Sequence, residues 1–489
     1  MIYDIVNNMN KKFPEKICIK SKQKEITYRE LYSQIIAFAE RMKKDGLVHG
    51  QKVLILLPNT SEYVISFFAI NLAGGIAVVI DTKLNDELHK IIIDNNINYF
   101  ITNETGMQKL NSIFAKNKNE QNFEEPCKIK LYITEEMTNN KLIYSNENIE
   151  ERYDNQDLDR TSVILYTSGS IGTPKGVINS HRTLQNALNN YCETVVVNSS
   201  DILVAVTPFF HSYAFGSCML AGLANGATLL VQDSFNPKRI LNLISNERAT
   251  IFHGVPYMYS LINDQIKRTH ICPDSLRLCI SAGGPLNEEV AREFHTLTGK
   301  IIHQEYGSTE TGTIAINLAD DLEKNIKSVG KSLKNVSVRI GGEIEDESVL
   351  YIKSRGQSIG YVDLEPFSDD WYNTEDIIKI DTDGYIYIVG RKKRMISVSG
   401  LKVNPMEVEL YLLKHPDIDN VMVKGHKDED FGEIVEVFIK RKNCDLSEQD
   451  IIMFCQGKLA AYKIPKIINW VESLPQSATG KIISTSDQS

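Results

Sequence analysis

Short apolar runs alternate with helical patterns along most of this chain, and that alternation limits the folds open to it. KVLILLP is followed by a helical pattern after Asn59, then by IAVVID, HKIIIDNN and NYFIT. Strand-like runs separated by helix-length segments imply parallel sheet covered by helices. The one membrane-like run, Val64 to Ile80, is broken by Asn71 and by Gly74-Gly75. It reads as a helix (EYVISFFAINLA), a glycine stop and a buried strand (IAVVID). A polar excursion from about Ile113 to Arg160, with one strand-like island at KIKLYIT, leads into the strand SVILY. A second α/β unit carries DILVAV, ATLLV, ATIFHGV and LRLCISAGG. Between Lys331 and Val389 the alternating SVRI, VLYIKS and YIYIV predict a small, mostly antiparallel unit. No repeat of solenoid length is evident.

Charge and cysteine usage exclude several classes. The 489 residues carry a net charge of −9, and no basic block is long enough to serve as a footprint for nucleic acid or anionic lipid. The start MIYDIVNNMNKKF has no apolar core of a secretory signal, so a cytoplasmic enzyme without membrane insertion is expected. Eight scattered cysteines form no Cys-x-x-Cys pair, which points to reduced thiols rather than zinc or a disulfide framework.

The segment LYTSGSIGTPKGV, Leu165 to Val177, has a composition suited to phosphate. Thr167, Ser168, Ser170 and Thr173 offer O–H donors, Gly169, Gly172 and Gly176 admit close backbone approach, and Lys175 supplies a point charge. It is not a Walker A loop, because Lys175 lies between Pro174 and Gly176 with no adjacent hydroxyl for magnesium.

The order Tyr-Thr-Ser-Gly-Ser-x-Gly-x-Pro-Lys-Gly resembles the signature loop of the adenylate-forming superfamily: acyl-CoA synthetases, luciferases and the adenylation domains of non-ribosomal peptide synthetases. QEYGSTETGT at 304–313, YNTEDI at 372–377, GRKKRMISVSGLKVNPMEVE at 390–409, LAAYKIP at 459–465 and PQSATGK at 475–481 follow in the family's order. The resemblance implies an α/β fold: a large N-terminal domain (1–392) of two helix-covered mixed sheets plus a small β-rich subdomain, then a mobile α+β C-terminal lid (393–489) hinged near Lys393. It also implies ATP and Mg2+ as cofactors and a phosphopantetheine thiol, on a carrier protein or CoA, as acceptor. Glu310 would be the Mg2+ ligand and Thr309, beside Ser308, would contact the α-phosphate. Tyr306 would stack on adenine against a turn made by Gly283, Gly284 and Pro285. Asp376 would accept from the ribose hydroxyls, with Arg391 beside it, and Lys481 would neutralise charge at the α-phosphate. Each residue alone has a structural reading: a cap for Glu310, a turn for Asp376, a solvated linker for Arg391, an exposed tail for Lys481. Two positions depart from the family pattern. Glu375 stands where glycine usually precedes the ribose aspartate, and Ser397 where many acyl-CoA synthetases carry a lysine.

TPFFHSYAFG, 207–216, matches the segment lining the family's acyl pocket. The resemblance makes His211 an aromatic gate and places Ser212, Tyr213, Gly216 and Thr313 near the acid. Ser212 stands where amino-acid-activating domains generally place an aspartate, which points to an uncharged acid. Glu305 points the other way: the resemblance places the position before Tyr306 on the acyl-pocket lining, where it is more often small, and an ionised carboxylate facing an apolar pocket calls for a partner. A cationic substrate group, a hydroxylated substrate, a partner within the protein and an outward orientation all remain open. The leading expectation is adenylation of a small amino or imino acid, such as proline or a β-amino acid, and its loading on a carrier protein. The alternative is an acyl- or aryl-CoA ligase. A catalytically silent carrier-binding module is disfavoured because Glu310 and Lys481 are both retained.

Overall fold

The strand-like runs of the first three hundred residues fall into two large sheets. A computed structural model of the protein describes residues 1–22, 24–84, 86–117, 130–134, 157–167, 174–341, 348–368, 370–428 and 430–474. One sheet has seven strands in the order Gly360–Tyr361, Gly176–Ser180, Thr161–Tyr166, Ile76–Val79, Lys52–Leu56, Tyr99–Thr102 and Lys130–Ile133. From Thr161–Tyr166 onward it is parallel, whereas the first two strands pair antiparallel. The other has nine strands, running from Lys331–Ser332 through Gly312–Ile316, Ile302–Ser308, Leu278–Ser281, Ile251–Gly254, Ile202–Ala205, Thr228–Val231 and Ile17–Lys20 to Glu25–Thr27. The strands from Ile302–Ser308 to Ile17–Lys20 are parallel, with antiparallel strands at both ends. HKIIIDNN contributes the end of the helix Asp86–Asp94.

The helix Ser61–Leu72 is apolar all round because it is buried on every side. Thr60 caps its first turn by accepting from the Tyr63 amide, and Gly74 leaves it at φ +87°. Phe67 on this helix meets Phe215 edge to face, with ring centroids 4.9 Å apart. Both belong to a core cluster that also contains Leu203 and Leu229 from the second sheet and Val53 and Val163 from the first. The wall of the cleft described below therefore rests on the main core.

The antiparallel unit expected between Lys331 and Val389 is a four-stranded sheet of Val336–Gly341, Val349–Ser354, Tyr372–Ile380 and Ile386–Arg391. Two short segments in that span, Lys331–Ser332 and Gly360–Tyr361, instead complete the edges of the large sheets. Beyond the single 3-10 turn Lys392–Arg394, the chain builds a further sheet with the helices Pro405–Leu412 and Glu448–Cys455. Val403, Val408, Leu412, Val437 and Ile451 lie in a separate core of that unit. No helix among the described residues is long and apolar enough to cross a membrane.

Glu375 occupies the left-handed region, at φ +61°. Its amide donates to Asn373 Oδ1 at 2.8 Å, and the pairing on both sides of this strand shifts register nearby. That conformation is easy for glycine and costs another residue on the order of 1–2 kcal/mol. The departure from glycine noted in the sequence thus falls on a position with a backbone reason for it. Glu375→Val should be less stable than Glu375→Gly by about 1–2 kcal/mol in urea unfolding, and equal midpoints would contradict the strain.

Candidate active site

The hairpin of Ile302–Ser308 and Gly312–Ile316 carries Thr309 and Glu310 at its turn. A Cβ on Gly307 would lie 2.2 Å from the Gly312 carbonyl oxygen, and Gly312 has φ +65°, so the narrow turn needs both glycines. A distant segment straps the turn. The Ser358 amide donates to Glu310 O at 2.9 Å, and the Ser358 hydroxyl lies 2.9 Å from Asn179 Oδ1 and 3.0 Å from Thr309 O. Tyr361 OH donates to Glu310 Oε1 at 2.7 Å, and Lys175 Nζ sits 5.0 Å from the Tyr361 ring centroid. The Tyr-Gly-Ser-Thr-Glu segment is therefore a strand-to-strand turn, not a helix cap.

The phosphate-type segment joins two strands that pair antiparallel, Thr161–Tyr166 and Gly176–Ser180. Its base is closed by the Thr167 amide donating to Lys175 O at 3.0 Å. Ser168, Gly169, Ser170 and Thr173 lie outside the described residues, as does Lys481. Lys393 falls in the Lys392–Arg394 turn between the two units.

Tyr306, Asp376 and Arg391 come together as the motifs implied. Tyr306 OH donates to Asp376 Oδ2 at 2.5 Å, and Arg391 Nε lies 3.6 Å from Asp376 Oδ1. Asp376 and Arg391 are cross-strand partners in the small sheet. Burial and the Asp376 charge push the Tyr306 phenol well above its ordinary range, so it stays a donor. Gly283, at φ +83°, with Gly284 and Pro285, follows the strand Leu278–Ser281, whose Ser281 is paired with Gln304. An ionised carboxylate, a guanidinium and a phenol beside a glycine-framed turn suit a ribose and a planar base. Among the described residues there is no cluster of three or more metal-ligating side chains. A single carboxylate, Glu310, fits a magnesium ion whose other ligands are phosphate oxygens and water.

Beside Thr309 opens a cleft of about 530 Å3, its open mouth included. Leu184, Leu188, Phe215 and Leu220 give it apolar walls, and Ser212, Gly216, Ser217, Thr309 and Thr313 also line it. The stretch Ala214–Leu220 is wound as a π-helix, a form frequent at functional sites, and the pairs Ser212/Ser217 and Phe215/Leu220 are each five residues apart. Ser212 Oγ lies 3.4 Å from Thr309 Oγ1, joining the cleft to the turn.

Three of the expected acid-site residues have polar or ring contacts within the protein. Glu305 does not line the cleft: it is 6% exposed, and its Oε1 accepts from Ser217 Oγ at 2.6 Å and Thr313 Oγ1 at 2.7 Å. Of the readings left open for it, the structure provides partners within the protein for Oε1, while Oε2 is buried with no hydrogen-bond partner among the described residues. Tyr213 directs its OH to the Ile280 carbonyl at 3.2 Å. The His211 ring packs against the Phe210 ring, with centroids 4.4 Å apart. Conversely, the sequence reading missed Tyr361 and Ser217. Neither carries a local signal, since each reaches its partner only through the tertiary fold.

Burial pushes the Glu305 carboxyl up to about 7, against the weaker opposing pull of its two hydroxyl partners. The folded protein then binds more protons than the unfolded chain between an ordinary carboxyl pKa and about 7, so this group makes stability fall as pH rises through that window. Glu305→Gln cannot ionise. In denaturation of the full chain, its stability relative to wild type should improve by about 3 kcal/mol from pH 4.5 to 8; a pH-independent difference would show that Glu305 titrates normally.

With this geometry in hand, comparisons with known proteins give one answer. The model of the AMP-binding enzyme matches residues 6–362, and that of the AMP-binding enzyme C-terminal domain matches 407–481. The chain is 27% identical to the long-chain-fatty-acid–CoA ligase FadD13 of Mycobacterium tuberculosis, over 94% of this chain and 92% of that one. It is likewise 27% identical to 2-succinylbenzoate–CoA ligase of Bacillus cytotoxicus, over 96% and 95%. ATP-bound MatB from Rhodopseudomonas palustris superimposes with a TM-score of 0.86 at 25% identity, over 99% of this chain and 97% of that one. The chain belongs to the AMP-binding enzyme family and is an AMP-forming ligase.

Proposed function

We propose that this protein activates a small or medium-sized carboxylic acid with ATP and transfers the acyl group from the resulting adenylate to the thiol of CoA. The observation that carries the reading is the adjacency of the strapped Thr309–Glu310 turn, the Tyr306–Asp376–Arg391 cluster and an apolar-walled cleft. A carboxylate oxygen of the acid attacks the α-phosphate and pyrophosphate leaves. The protein has little covalent work to do: it aligns the two reactants and neutralises charge. Asp376 and Arg391 would orient the nucleotide, Thr309 would hold the α-phosphate, Glu310 would hold Mg2+, and Lys175 with the Ser/Thr loop would take the outer phosphates. Lys481 would act at the α-phosphate, and rotation about Lys393 would then exchange it for the Gly400 segment.

CoA is favoured over a carrier protein as acceptor because the relatives named above include CoA ligases of fatty and aryl acids. An amino or imino acid loses its main support once Glu305 has partners of its own. The test is a panel of fatty, aryl, amino and imino acids assayed for ATP–pyrophosphate exchange and for CoA thioester. Exchange with thioester formation supports the reading; exchange without thioester, restored by a carrier protein, would replace the acceptor.

Two variants divide the labour. Lys481→Ala should lower exchange by two to three orders of magnitude, about 3–4 kcal/mol, and leave transfer from a preformed adenylate largely intact. Equal loss in both half-reactions would remove Lys481 from the adenylation step. Tyr361→Phe deletes a hydrogen bond to a charged group, worth about 1.5–3 kcal/mol, so exchange should fall roughly ten- to a hundredfold with the fold intact. Unchanged exchange would make Tyr361 merely structural.

A further inference from the structure

Ser217 and Thr313 face the cleft with hydroxyls whose protons are already committed. A hydroxyl has one proton to give and two lone pairs. Ser217 Oγ and Thr313 Oγ1 both point that proton at the same atom, Glu305 Oε1, at 2.6 and 2.7 Å. Their oxygens lie 3.4 Å apart, side by side. With Glu305 ionised, what remains for a ligand in the cleft is lone pairs, so in that state this pair of hydroxyls acts as an acceptor.

The surroundings keep it that way. Glu305 Oε2 is buried with no hydrogen-bond partner among the described residues. Of the aromatic groups around it, Tyr213 OH donates to Ile280 O, and Tyr191 OH lies 3.3 Å from His253 Nε2 and also within hydrogen-bond reach of Ser217. Burial pushes His253 down to about 3, so it is neutral and supplies no cation. Among the described residues the carboxylate accepts from Ser217 and Thr313, and a chain of hydrogen bonds running from the cleft to Glu305 would be strengthened by polarisation along its length. An apolar group at Ser217 and Thr313 would leave their lone pairs unmet.

We infer that Ser217 and Thr313 select an acid that bears a hydrogen-bond donor, a hydroxyl or an amino group, with Glu305 as the positioning residue that turns both side chains into acceptors. The inference rests on the acid-activating reading above and specifies its substrate class. It needs no ion pair: the donor meets the two hydroxyl oxygens, not the carboxylate.

The test uses the full-length enzyme and sets of acids differing in one substituent. Each set of benzoic or straight-chain acids has a donor member (hydroxyl or amino), a methyl member and an acceptor-only member (methoxy or fluoro). The readout is the ratio of kcat/KM values in pyrophosphate exchange. In at least one set the wild type should favour the donor member tenfold or more over both isosteres, the size of penalty expected when buried polar groups go unpaired. Thr313→Val combined with Ser217→Ala should bring the donor-to-methyl ratio near one. Glu305→Leu, which frees both hydroxyl protons, should raise the acceptor-only member relative to the donor. If Glu305→Leu does not fold, the Ser217/Thr313 double variant decides alone. A wild type indifferent to the substituent, or a ratio unchanged in the double variant, overturns the inference while acid activation stands. Absence of exchange with every acid overturns both.

Discussion

One strand, Ile302–Ser308, divides the site in two. Neighbouring side chains on a strand point to opposite faces. Glu305 accordingly meets Ser217 and Thr313 behind the cleft, while Tyr306 meets Asp376 of the small sheet. Two residues later the strand ends in the turn that carries Thr309 and Glu310. The proposed nucleotide side and the proposed acid side would thus be held in register by a single backbone segment. Its bulge between Tyr306 and Gly307, and the lack of room for any Cβ at Gly307, fix where that register changes.

The turn itself is half-buried and supported from elsewhere in the fold. Gly360–Tyr361 adds to the edge of the seven-stranded sheet, and in doing so brings Ser358 to the Glu310 backbone and Tyr361 to its carboxylate. The same Tyr361 ring lies under the Lys175 ammonium, so a phosphate-type hairpin on one sheet and a carboxylate turn on the other share one aromatic residue. The Glu310 carboxylate is held by Tyr361 within the protein, which would lower the ordering cost of binding the proposed metal.

The sequence made part of this legible. The hairpin residues, the Asp376–Arg391 pair and the two α/β units follow from motif order and from periodicity, both of which are local. The helix Ser61–Leu72 was readable because a run of that length is too short and too interrupted to span a membrane. Glu375 stood out as a departure from glycine, and its left-handed backbone gives the physical reason. Partners across the fold were not legible. Nothing near Ser217 announces that a π-helical winding aligns it with Ser212, and nothing near Glu305 announces that two hydroxyls from separate elements satisfy one of its oxygens. A buried carboxylate in a sequence asks for a partner, but only the tertiary arrangement says whether the protein or the ligand provides it.

The central claim is that an oxygen of the acid becomes bonded to the α-phosphorus. An acid labelled with 18O in its carboxylate tests this directly, using the substrate that gives the fastest pyrophosphate exchange. Mass spectrometry after turnover with ATP and CoA should find one labelled oxygen in AMP and none in pyrophosphate. Unlabelled AMP, or label in phosphate with ADP as the nucleotide product, would contradict an acyl-adenylate and with it the assignment of the Tyr306–Asp376–Arg391 cluster and the Thr309–Glu310 turn to that chemistry.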